Sequence, residues 1–163
     1  MKHKVLIAYD GTENSLRAVE YTANIVKLSP ESFELLLFFV LPPLPIDYVE
    51  YGDLPADTPE QQALKTRQEI LDQLKRDIES RSEKMFEKAL KLLKTYNINN
   101  VKCKFSHCTT DIAGEVIQEV VNNSYKTVVI GRRGKTSIKE RLLGGTAEKI
   151  IRYLKNCAVW VVE

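Results

Sequence analysis

The chain opens on Val5-Leu6-Ile7-Ala8-Tyr9, an unbroken apolar run closed by Asp10-Gly11. Such a run reads as a strand covered on both faces, and the Asp-Gly pair as the turn that ends it. Leu16, Val19, Ala23 and Val26 then recur at helical spacing. Thr12 or Asn14 can cap that helix, since either side-chain oxygen accepts from its first unpaired N–H groups. Ser29-Pro30 stops it. Phe33–Leu41, rich in Leu and Phe, is a second buried strand, ended by Pro42-Pro43.

Residues 42–60 break the rhythm, with Pro42, Pro43, Pro45, Pro55 and Pro59, one glycine and several carboxylates. A loop of this length in a compact domain is either functional or mobile. It reads equally as a cover over the sheet's C-terminal edge or as disorder without function. From Glu60 to Tyr96 the pattern is helical, carried by Leu71, Leu74, Ile78, Met85, Ala89, Leu92 and Tyr96 and interrupted around Ser80–Ser82. A straight helix of that length is about 55 Å long, against roughly 40 Å for the width of such a domain. Either it bends near Ser80, or its charged first half projects toward a partner.

Val101, Cys103, Phe105 and His107 alternate with Lys102, Lys104 and Ser106, the period of a strand with one wet face near a sheet edge. A helix follows with Ile112, Val116, Ile117, Val120 and Val121 on its inner side. Thr127–Ile130 is another buried strand running into Gly131. A helix over about Thr146–Leu154 and a strand at Ala158–Val162 complete the chain. Five strands alternating with four helical regions specify an α/β fold with a parallel sheet. The length fits one domain spanning 1–163.

Composition narrows the partners. The 24 basic and 22 acidic residues are well mixed and leave a net charge of +2, which gives no reason to expect nucleic acid or a membrane surface. Val5–Ala8 is too short for a signal-peptide core, and no run approaches the roughly 20 apolar residues of a membrane span. Cys103, Cys108 and Cys157 are odd in number and form no CxxC pair, as expected of a reduced cytoplasmic protein.

Chemistry concentrates in Gly131-Arg132-Arg133-Gly134-Lys135-Thr136, continuing to Leu143-Gly144-Gly145-Thr146. This stretch leaves the carboxyl end of a buried strand and enters a helix, where open α/β sheets bind ligands. Glycines let backbone approach a phosphate, and the helix start offers unpaired N–H groups. Arg132, Arg133, Lys135, Lys139 and Arg141 add positive charge. Physically this is an anion site suited to polyphosphate. It is not a Walker A loop, which needs glycine where Val129 stands, and no GxGxxG fingerprint follows the first strand.

The spacing Gly131-x2-Gly134-x9-Gly144, the opening strand ending in Asp10, Val40 at the end of strand two, the long loop and helix, and the apolar strand 158–162 together resemble the ATP-binding branch of the universal stress protein family. That resemblance implies a doubly wound, open five-stranded parallel sheet of order 3-2-1-4-5, adenine nucleotide alpha hydrolase-like, with helices on both faces. It implies that Asp10 and Val40 line an adenine pocket and that Gly131 sits by the ribose. Gly134, Gly144 and Gly145 then offer N–H groups to phosphates, with Arg133, Lys135 and Thr146 beside them. The implied ligand is ATP, with ADP or AMP as alternatives, accompanied by Mg2+ or Mn2+. One departure matters: relatives carry hydroxyl side chains where this chain has Gly145 and Ala147. Each lost neutral hydrogen bond is worth about 1 kcal/mol, so weakened binding is expected.

Other readings stay beside this one. Asp10 also suits a simple turn cap. His107 and Cys108 are adjacent at a strand end, but no third ligand keeps suitable spacing, and packing explains them better. His107 at a strand end has access to the ligand crevice, and Trp160 suits a core or an interface. No residue stands out as general base or nucleophile, and Glu140 and Glu148 read equally as helix-surface groups; no dedicated enzyme is expected, although slow ATP hydrolysis stays open. Ala158–Val162 lacks the charge or proline that keeps sheet edges solitary, so a homodimer through this strand is expected. The leading function is a nucleotide-responsive stress or signalling protein with an unspecified protein partner. A dimeric interaction module with a lapsed site is the alternative.

Overall fold

A computed structural model describes residues 2–41, 59–108, 111–132 and 145–163. The elements are β1 (His3–Ala8), α1 (Glu13–Val26), β2 (Phe33–Leu41), α2 (Pro59–Thr95), β3 (Val101–His107), α3 (Ile112–Asn123), β4 (Thr127–Gly131), α4 (Gly145–Tyr153) and β5 (Ala158–Val162), with a short 3-10 turn at Pro30–Ser32. All pairings are parallel, and the sheet order is β3-β2-β1-β4-β5, as the family resemblance implied. The segment read as a loop lies, over 42–58, outside the described residues.

Alternation along the strands sends side chains to opposite faces, and each face has its own core. Val5, Ile7, Tyr9, Leu35, Leu37 and Val129 pack with α1 and α2; Leu6, Leu36, Phe38, Val40, Val128 and Ile130 pack with α3 and α4. Both faces being covered explains why β1, β2 and β4 are continuous apolar runs. Each large side chain removed from water contributes about 1.5–3 kcal/mol. Thr12 caps α1 by accepting from Ser15 N–H at 3.3 Å, and Asp111 caps α3 by accepting from Gly114 N–H at 3.0 Å. Ser124 takes up left-handed backbone at the end of α3, with φ of 56°.

Two expectations, on α3 and on Cys103, need correction. α2 is one helix through Ser80–Ser82, where the apolar rhythm lapses. Its buried contacts are Phe86, Ala89 and Leu93, with Met85, Leu92 and Tyr96 at the margin of that stripe. α3 is rotated relative to its apolar pattern. Ile112 is 40% and Val121 63% exposed, while Ala113, Val116 and Val120 face inward together with Glu115 and Glu119. The cause lies on the polar face of β3, which stays wet at Lys102 and Lys104: Lys104 Nζ donates to Glu119 at 2.7 Å and Ser106 Oγ to Glu115 at 3.0 Å. Burying carboxylates requires such partners, so α3 turns its glutamates toward β3. Lys102, paired with Glu34 at 2.7 Å, completes a charged margin along that edge. Cys103, placed on the inner face by its alternation, is exposed.

No helix among the described residues is long and apolar enough to cross a membrane.

Candidate functional site

The strand order reverses between β1 and β4, so the connections from these two strands leave in opposite directions and open a crevice at their carboxyl ends. Register places Ala8 level with both Phe38 and Ile130. A cleft of about 300 Å³ lies there.

One side of it is built by the turn from β1 into α1. The Asp10 carboxylate accepts from Thr12 N–H at 3.0 Å and from Thr12 Oγ1 at 2.5 Å. Ser15 Oγ donates back to the Thr12 carbonyl at 3.0 Å and accepts the Asp10 N–H at 3.3 Å. The turn-cap reading of Asp10 is therefore realised, and the same residue lines the cleft. Gly11 has φ of +78°, a conformation that suits glycine. Tyr9 is anchored beneath, its hydroxyl donating to the Met85 carbonyl at 3.2 Å and its ring stacked on Phe86. Burial, aided by the charge of Asp10, raises the Tyr9 pKa, which keeps the phenol a neutral donor. Gly131 meets this turn from β4. A Cβ there would lie 2.4 Å from the Asn14 carbonyl oxygen, so only glycine fits.

Much of the lining is apolar: Phe38 and Val40 of β2, Ile112 and Val116 of α3, with Ala8 and Ile130. The start of α4, with Gly145, Thr146 and Ala147, also lines the cleft. The first turn of a helix carries N–H groups without intrahelical partners and a positive dipole end. Ala147 is buried in the core, whereas an added Cβ at Gly145 would meet nothing within 4 Å among the described residues. Lys149 ties α4 to α3 through Asp111 at 3.2 Å. The Asp111 carboxyl is held below its usual range by the Gly114 N–H and then by Lys149.

Of the residues expected at the site, Asp10, Val40, Gly131, Gly145 and Thr146 come together on this cleft. Arg133, Gly134, Lys135 and Gly144 lie outside the described residues. Thr12, Asn14, Ser15, Ile112 and Val116 were missed by sequence reasoning; the polar side chains just after Asp10 were the available signal for the first three. His107 does not line the cleft. It faces α2, with Nε2 3.4 Å from Glu79 and its ring edge-on to Phe105. Glu148 pairs with Arg152 along α4 at 2.7 Å, the surface reading of that residue. Trp160 packs partly into the core and meets Tyr21 edge-on. Arg132, expected to add charge around an anion, pairs instead with Glu163 and is not among the cleft's described lining residues. Among the described residues no group of three or more His, Cys, Asp or Glu side chains gathers as a metal cage.

The model of the universal stress protein family matches residues 1–163. The chain belongs to the universal stress protein family. Comparison with curated proteins finds no match. Among solved structures, the chain is similar to universal stress protein UspA from Lactobacillus plantarum, at 15% identity and a TM-score of 0.69 over 99% of this chain and 97% of that one. It is also similar to a universal stress protein in complex with cAMP, at 17% identity and a TM-score of 0.63 over 99% and 96%. A universal stress protein from Archaeoglobus fulgidus in complex with dAMP matches at 10% identity and a TM-score of 0.55 over 100% and 98%. At these identities the likeness is one of fold.

Proposed function

We propose that this universal stress protein binds an adenine nucleotide in the cleft between β1 and β4 and acts as a nucleotide-responsive stress protein. The observation that carries the reading is the cleft's mixed lining. Val40, Ile112 and Val116 offer apolar surface for a base, and the start of α4 offers N–H groups without intrahelical partners for phosphate. Asp10 supplies a carboxylate, and Gly131 a bare stretch of backbone. The sequence adds Arg133, Gly134, Lys135 and Gly144 to the phosphate end. Fold relatives in complex with cAMP and dAMP support an adenine nucleotide as the ligand class.

Within this reading ATP, ADP and AMP are all candidates, because Gly145 and Ala147 offer no hydroxyl donors to the outer phosphates. The described residues offer a divalent cation no cage of their own, so Mg2+ or Mn2+ belongs to the proposal as an ion carried by the phosphates. Three free thiols suit a reducing compartment such as the cytoplasm. β5, apolar and at a sheet edge, is the proposed homodimer surface.

Calorimetric titration with ATP, ADP and AMP, with and without magnesium, tests the ligand. Saturable binding that weakens in Asp10→Ala and Gly134→Ala is expected; no binding at millimolar nucleotide overturns the reading. Sedimentation at micromolar concentration tests the dimer, and a clean monomer mass removes it.

A further inference from the structure

The point where the chain leaves β4 is gripped on two flanks. On one, Gly131 lies so close to the first turn of α1 that a Cβ would be 2.4 Å from the Asn14 carbonyl oxygen. On the other, Gly131 is in register with Val162, and Arg132 N–H donates to the Val162 carbonyl at 2.7 Å. The β4–β5 ladder thus continues one residue past the end of β4. The Arg132 guanidinium reaches on to the Glu163 carboxylate, a second tie between the same two segments.

We propose that Arg132 is a positioning residue for nucleotide binding: held by Glu163, it fixes the Gly131–Arg132 backbone where Gly131 lines the cleft, without itself touching the ligand. The inference rests on the nucleotide reading of the cleft. Sequence alone makes Arg132 one of five cations around a phosphate; its engagement with Glu163 at the sheet margin separates it from that role. A carboxylate at the edge of the sheet thereby influences affinity at the switch point. Both side chains are partly exposed, at 32% and 72%, so the pair is screened by solvent and its effect is modest.

The test is calorimetric titration of the intact chain with ATP in four forms: wild type, Arg132→Gln, Glu163→Gln and the exchanged pair Arg132→Glu with Glu163→Arg. Each single variant is expected to bind about two- to fivefold more weakly, the range of one exposed ion pair. The exchanged pair is expected to recover most of the loss, which a phosphate-contacting arginine would not allow. Thermal midpoints of all four check that the fold is intact. Unchanged affinity in Glu163→Gln overturns the inference. So does a loss in Arg132→Gln that the exchanged pair does not restore, since Arg132 would then act on the ligand directly. Wild-type chain that binds no adenine nucleotide overturns the nucleotide reading itself and the inference with it, an outcome distinct from the other two.

Discussion

Two glycines that line the cleft are alike in chemistry and opposite in circumstance. Gly131 ends β4 against the backbone of α1, where an added carbon would sit 2.4 Å from the Asn14 oxygen. Gly145 opens α4, and among the described residues nothing lies within 4 Å of the place a side chain would occupy. The first is glycine because two main chains must approach each other; no described neighbour imposes that on the second. The strand lip is therefore a rigid part of the sheet, fixed by packing at its strictest density. The helix lip meets no such constraint among the described residues, and in the proposed reading variation there adjusts how a nucleotide is held.

Substitutions on the two lips should separate sharply. Gly131→Ala is expected to have the largest effect, about 3 kcal/mol of stability, because the clash is with backbone and no rotamer change relieves it. Its thermal midpoint and nucleotide affinity should fall together; unchanged stability would show that the lip is softer than its geometry. Gly11→Ala comes next, at about 1–2 kcal/mol, from the left-handed φ of +78°. The methyl there meets the Met85 Sδ at 2.7 Å, the end of a flexible side chain that can move aside. Gly145→Ser should do the reverse, leaving stability unaltered and tightening nucleotide binding by about 1 kcal/mol, roughly fivefold, through one new hydroxyl donor. Weaker binding in that variant would show that the open space is needed by the ligand.

The smallest expected effect concerns the tether between α3 and the helix lip. Asp111 has a lowered folded pKa, so its contribution to stability is complete above its unfolded value of about 3.9 and is lost as pH falls through the folded value. Asp111→Asn keeps a capping oxygen but removes the charge. Thermal midpoints from about pH 5 down to pH 2 should fall less steeply in this variant than in wild type; parallel curves would mean that Lys149 and Gly114 do not bias the carboxyl.

What the sequence showed well was whatever one strand or turn decides by itself. Continuous apolar runs located β1, β2 and β4, and Asp10 at the end of β1 was legible as a turn cap because the turn after a buried strand needs one. What it hid were decisions made between elements. The rotation of α3 depends on Lys104 and Ser106 of β3, which draw Glu119 and Glu115 inward against the apolar pattern. No periodicity within 112–123 contains that information. Ile112 and Val116 were missed as cleft residues for a related reason: they reach the site only because α3 packs beside the end of β2. Arg132 looked like one more cation among neighbours until the partner thirty-one residues later was beside it.

The contrast between the sheet's two margins has a consequence for assembly. Lysines at positions 102 and 104, anchored by glutamates, line the β3 side, whereas no charged residue interrupts the β5 strand from Ala158 to Val162. If two copies join β5 to β5 as proposed, the combined sheet ends on both outer sides in a β3 strand flanked by lysine–glutamate pairs. Charged side chains of that kind keep a sheet edge solitary, so the proposed pair would stop at two rather than propagate into a fibre.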